Sequence, residues 1–291
     1  MNKPHLPRLQ RGQYKRATIV LCIILAVALL AYAEIFRPNQ DAKIYIQQLD
    51  ASFKPLQKCF EKLANTTQLS LYYAPDVTLD SKRGDTATIL KQINSCSGQL
   101  NTFDNQSHLV NLHLAGYTPA YRQAEVYQRQ AFDIVGQSRD VMGQYAEMAN
   151  FLSKYYDHII AFSTYTAELQ DNKYYLGSAQ LLTMEQQASD LRERATQIRS
   201  LEAPQEFADT KLDTADMMTT AASGLENVAK GYRFGNDYLV STGYDQIDQA
   251  IKTYESHVIN LPFQQLTKSY IPQQVNQLPG KVENLLVSAS E

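Results

Sequence analysis

Residues 119–171, PAYRQAEVYQRQAFDIVGQSRDVMGQYAEMANFLSKYYDHIIAFSTYTAELQD, decide the fold. Within them Ala124, Tyr127, Ala131, Ile134, Ser138, Val141, Tyr145, Met148, Leu152, Tyr155, Ile159, Phe162, Thr166 and Leu169 follow one another at alternating steps of three and four. That spacing lines one stripe of an α-helix, whereas a strand would repeat every second residue. The rhythm never slips, so it predicts a single helix over about 119–170. At 1.5 Å per residue such a helix is roughly 75 Å long and needs partner helices along its whole length. A sustained heptad seam also predicts left-handed coiling against those partners. Ser138 and Thr166 interrupt the apolar stripe, and Gly136 and Gly143 weaken it locally.

Working outward, the same rhythm recurs on both sides. Upstream, Ile46, Leu49, Phe53, Leu56, Phe60 and Leu63 form one seam, with Pro55 expected to kink or divide it. A polar loop is expected around 69–84, and Ile89, Ile93, Cys96, Leu100 and Phe103 form the next seam. Downstream, Asp171-Asn172 ends the long helix, and Leu181, Met184, Ala188, Leu191, Ala195 and Ile198 line a returning one. Ala203-Pro204 marks a turn, with proline suited to the start of a helix carrying Ala208, Leu212, Ala215, Met218, Ala222, Leu225, Ala229 and Tyr232. Gly235-Asn236 stops it, and Val240, Tyr244, Ile247, Ile251, Tyr254 and Val258 supply a last seam before Pro262.

Composition agrees. Glycine and proline together make 22 of 291 residues, too few for the frequent turns of a β-sandwich or barrel. The expected fold is all-α: one N-terminal transmembrane helix, then an elongated extracytoplasmic bundle of long, heptad-patterned antiparallel helices. A membrane-proximal unit is expected over 39–113 and a distal bundle over 117–262. For 263–291, which contain Pro272 and Pro279, short helical pieces on a loose tail are expected.

The N-terminus carries the strongest targeting signal. Residues 1–16 hold Lys3, Arg8, Arg11, Lys15 and Arg16 and no acid. An apolar run follows from Ala17 to Ala33, with Thr18 its only polar member, and Ile35-Phe36 extend it. Residues 17–36 therefore read as a membrane signal anchor, with 1–16 in the cytoplasm under the positive-inside rule. Ala31-Tyr32-Ala33 also fits a cleavage site, in which case the mature chain is secreted after Ala33. In both cases the remainder faces outward. All 30 acids but only 22 of the 27 basic residues lie beyond residue 33, so that part is acidic, near −8, and has no electrostatic footprint for nucleic acid.

Cys59 and Cys96 are the only cysteines in the outward part, and an oxidising compartment permits them to pair. Cys96 lies on an inward seam and Cys59 at the edge of another, so a bond would staple two neighbouring helices. Two buried thiols are the alternative.

Chemistry-bearing motifs are missing. There is no phosphate-binding glycine loop, G-x-S-x-G turn, H-E-x-x-H or C-x-x-C. No catalytic residue, cofactor site or metal site is expected. His108 and His113 are five apart, off the spacing that aligns two ligands on a helix. Met217-Met218 reads as core filler rather than a copper pair. Tyr155, Tyr156, Asp157 and His158 form the densest polar-aromatic cluster; Tyr155 fits the seam, while Asp157 and His158 fall on a solvated face. Arg83-Gly84-Asp85 spells an adhesion tripeptide in an expected loop, with Asp85 suited to cap a helix starting near Thr86. Asn65-Thr66-Thr67 and Asn105-Gln106-Ser107 are glycosylation sequons, meaningful only in a glycosylating host. The function class left is a non-enzymatic, membrane-anchored interaction or structural protein that binds a protein partner or itself through helical faces. A ligand-binding sensor working through a separate membrane partner is the alternative.

Overall fold

The helical rhythm is realised as a set of long helices. The computed structural model describes residues 11–71, 78–106, 119–171, 178–258 and 270–290, and among these there is no strand. Helix α1 covers Arg11–Ala31 and runs through a π turn, Tyr32–Phe36, straight into α2, Arg37–Leu71. Then come α3 (Leu79–Gln106), α4 (Pro119–Asp171) and α5 (Ser178–Ser200). A single 3₁₀ turn, Gln205–Phe207, leads into α6, Ala208–Phe234. Helix α7, Asp237–Thr253, ends in a second π turn, Tyr254–Val258, and α8 covers Tyr270–Ser290. The basic residues before Arg11, the His108/His113 pair, Asn172 and Pro262 lie outside the described residues.

Helix α4 is the spine, and at 53 residues it is about 80 Å long. Its apolar stripe is covered on two sides by different partners. Helices α2 and α8 pack on its N-terminal half, α3 runs along both halves from Phe132 to Asp157, and the C-terminal half also meets α5, α6 and the second π turn. Residues Ala124, Tyr127, Ala131, Ser138, Tyr145, Met148, Leu152, Tyr155, Ile159 and Phe162 of the seam are all buried. A second stripe, Val135, Met142, Ala149, Phe151 and Tyr156, is buried too, because two sets of helices flank α4 rather than one. Chain direction follows from the cross-contacts. Helix α3 is antiparallel to α4, with Arg83 beside Asp157 and Phe103 against Phe132. Helix α2 is antiparallel to α3, with Phe53 against Phe103 and Cys59 bonded to Cys96, and so runs in the direction of α4.

Local chemistry explains the boundaries. Thr78 caps α3: its hydroxyl oxygen accepts from the Ser81 N–H at 3.2 Å. Gly235 takes the left-handed conformation, φ 63°, that ends α6. Asn236 then caps α7, its side-chain oxygen accepting from the Leu239 N–H. Between α6 and α7 the backbones nearly touch. A Cβ on Gly243 would stand 2.6 Å from the Gly224 carbonyl oxygen, and one on Gly231 would stand 2.8 Å from the Val240 nitrogen. Only glycine permits that approach.

Three expectations are corrected. Pro55 does not divide α2, which is unbroken from Arg37 to Leu71. Proline removes one N–H bond, but Phe53, Leu56, Cys59 and Phe60 are buried on either side and keep the helix continuous. Residues 270–290 are not a loose tail but a helix packed on α2 and α4, with Val275, Leu278, Val282 and Leu285 buried and Pro279 accommodated inside it. The expected loop extending to residue 84 is shorter, because capping by Thr78 starts α3 at Leu79.

No helix among the described residues is long and apolar enough to cross a membrane. The side chains described in α1 begin at Thr18 and end at Ala31, fourteen residues or about 21 Å, and the segment 17–36 is shared between α1 and the π turn. Along that helix Ile19, Leu21, Ile23, Ile24, Leu25, Val27, Leu29 and Leu30 are all exposed, Leu29 by 66%.

Candidate functional site

Several polar groups of the interior gather on α4 between residues 151 and 166, while Ser138 and the Tyr127–Asp50 hydrogen bond lie nearer its N-terminus. Tyr155 and Tyr156 are both fully buried. The Tyr155 hydroxyl lies 2.9 Å from Thr214 Oγ1 on α6, and Thr214 in turn donates to the Thr210 carbonyl at 2.7 Å. With the Thr214 proton so directed, Tyr155 is the donor. Burial pushes the Tyr155 hydroxyl well above the ordinary tyrosine range, a rise that the bond to Thr214 only partly offsets. Aromatic contacts frame this bond: Phe151 meets Phe207 and Phe162 meets Tyr254, each at 5.3 Å between ring centres.

A second polar group joins α4 to α5. Tyr165 donates to Asp190 Oδ2 at 2.5 Å, and Arg194 Nε donates to the same oxygen at 2.6 Å. Burial alone would raise the Asp190 pKa, but the bonds from Tyr165 and Arg194 outweigh it and hold the carboxyl below its usual range. His158 stands against this pair, half-buried, with Nδ1 closed to solvent and without a hydrogen-bond partner. Burial and then the Arg194 guanidinium hold its pKa below the usual histidine value, while Asp157 and Asp190 pull it the other way. Asp157 faces α3, where Arg83 reaches it at 3.1 Å and also holds Asp80.

This arrangement fastens α4 to α3, α5 and α6. Among the described residues no group of three or more metal-ligating side chains occurs.

Of the residues singled out from the sequence, Cys59 and Cys96 form a disulfide, with Cα atoms 5.6 Å apart, joining α2 to α3. Arg83, Gly84 and Asp85 are not on a loop but inside α3, with Arg83 engaged by Asp80 and Asp157. The tripeptide is thus helical rather than on the expected loop. Met217 and Met218 are both buried in the core. His158 corrects the division made at the cluster, being half-buried beside charged groups of α5 rather than on a solvated face, and Tyr156 is core. Sequence reasoning missed Asp190, Arg194 and Thr214 as its partners. They are distant in the chain, and no spacing announces them.

Two surface features complete the survey. An open groove of about 370 Å³ between α6 and α7 is lined by Asp213, Asp216, Met217, Thr220, Gln249, Ala250 and Thr253. At the α6–α7 turn, Phe234 and Tyr238 are 74% and 77% exposed, beside the half-exposed Tyr232. Comparison with known proteins yields no match to a family model, a curated protein or a solved structure.

Proposed function

We propose that the chain is a non-enzymatic, membrane-anchored helical bundle with a structural or protein-binding role at the cell envelope, N-terminus inside and bundle outside. The observation that carries this reading is α1. Its apolar side chains are exposed among the described residues, and it continues through the π turn into α2. Water is an unfavourable neighbour for so much contiguous apolar surface, and lipid is the natural one. The basic residues preceding it favour the proposed orientation. The Cys59–Cys96 bond supports the same placement, since disulfides persist in oxidising compartments. In this reading α4 holds helical surface away from the bilayer for a protein partner or a second copy.

The test is N-terminal sequencing of the protein from washed membranes and from the medium, with carbonate extraction of the membranes. An intact N-terminus resisting extraction supports the anchor. A chain beginning at Glu34 in the medium supports a secreted form, and release by carbonate removes the anchoring proposal. In-cell cross-linking then reports the partner or self-association.

The α6–α7 groove favours a second reading, an outward ligand sensor that signals through a separate membrane protein. Its two carboxylates and the apolar floor of Met217 and Ala250 suit an uncharged or cationic small molecule. A thermal-shift screen tests it: saturable stabilisation lost in a Gln249→Trp variant supports the sensor, and no stabilisation by any compound argues against it.

A further inference from the structure

Helix α5 lies chiefly along α6 and meets α4 more sparingly. The α4–α5 contact includes a polar group: Tyr165 with Asp190 and Arg194, and His158 beside them. The charged groups facing His158 are Asp157 on its own helix and Asp190 and Arg194 on α5. Each of the two carboxylates already serves a guanidinium, Asp157 that of Arg83 and Asp190 that of Arg194. The imidazole Nδ1 sits in a closed position where no acceptor awaits a proton. A proton placed there would be an unpaired donor, and the new charge would stand beside Arg194.

We infer that His158 is an acid-sensitive latch, whose protonation loosens α5 from α4. The sign follows from the direction of the shift. The fold holds this imidazole below the usual histidine value, so the unfolded or opened chain takes up the proton first as pH falls. The stabilisation is complete above about pH 6.5, the unperturbed value, and declines as pH drops through it. Asp190, held below its ordinary range, keeps its contribution until the pH falls under about 4, so it adds nothing to a change between pH 7 and 5. This inference is independent of the membrane reading.

The experiment is hydrogen exchange on the full chain in detergent micelles at pH 7.0 and 5.2, corrected for the intrinsic rate change, with NMR titration of the His158 ring. Acidification is expected to speed exchange in α5 severalfold in the wild type and to leave His158→Gln unchanged, with the ring titrating below 6.5. A ring titrating at or above 6.5, or an equal acid response in both proteins, overturns the inference. Should His158→Gln fail to fold, the ring titration of the wild type still decides.

Discussion

Tyr155 shows how a single hydroxyl can join two helices. Its donor bond to Thr214 is closed from water and connects α4 to α6 across 59 residues of chain. Replacing Tyr155 by Phe removes that bond but leaves Thr214 its partner at Thr210, so the loss is one net hydrogen bond, about 1 kcal/mol. Urea denaturation should read it as a lowered midpoint with an unchanged slope. Glycines differ in the same residue-by-residue way. Gly243 faces backbone atoms of α6 closer than 3 Å from where a Cβ would stand, whereas Gly143 meets nothing within 4 Å. Gly243→Ala should destabilise by about 1–3 kcal/mol through overpacking. Gly143→Ala, on an exposed turn of α4, should stabilise by about 0.5–1 kcal/mol. Thermal melts of the two variants moving in the same direction would contradict this. Neither difference is legible locally, since each glycine sits in a helical segment and only the neighbouring helix distinguishes them.

At the scale of elements, the heptad spacing was sufficient to place α4 within a residue of its ends, because a stripe of fourteen positions leaves no other period. It was insufficient where one residue type argued against the surrounding pattern. Pro55 and Pro279 each read as breaks, yet burial of the flanking apolar residues on neighbouring helices outweighs the lost bond. Val275, Leu278, Val282 and Leu285 already stood at helical spacing in the sequence and could have been found by giving the stripe priority over the prolines. The α2–α3 pair is stitched by Cys59–Cys96, which closes 37 residues. In the chain-entropy model that closure stabilises by about 4 kcal/mol. The Cys59→Ala/Cys96→Ala variant should lose roughly this amount in guanidinium denaturation, and the wild type should fall to a similar level in reductant. Equal stability of the oxidised and reduced wild type would remove the bond from the account.

For the whole molecule, α4 links two sets of helices. Helices α2 and α8 flank its first half and α5 and α6 its second, while α3 runs along both from Phe132 to Asp157. Helix α6 runs parallel to α4 past its end, so the exposed Phe234 and Tyr238 lie at the far end of the rod from α1, on the order of 90 Å away by helix rise. Removing residues 270–290 strips four buried apolar side chains from the proximal bundle, a loss on the order of 6 kcal/mol. Hydrogen exchange should then accelerate in α2 while α5 to α7 keep their protection; uniform acceleration would mean the two halves are one cooperative unit.

By itself the sequence determined that this chain is helical, where most helices run and which stripes turn inward. Those properties follow from the three-four periodicity of apolar residues, a local quantity carried by neighbours a turn apart. The tertiary structure alone decided which helices share α4, that the C-terminal helix closes the proximal bundle, and that His158, Asp190, Arg194 and Thr214 meet along α4. Such meetings depend on the packing of stripes that are chemically alike. Nothing in the spacing along one helix states which other helix will cover it.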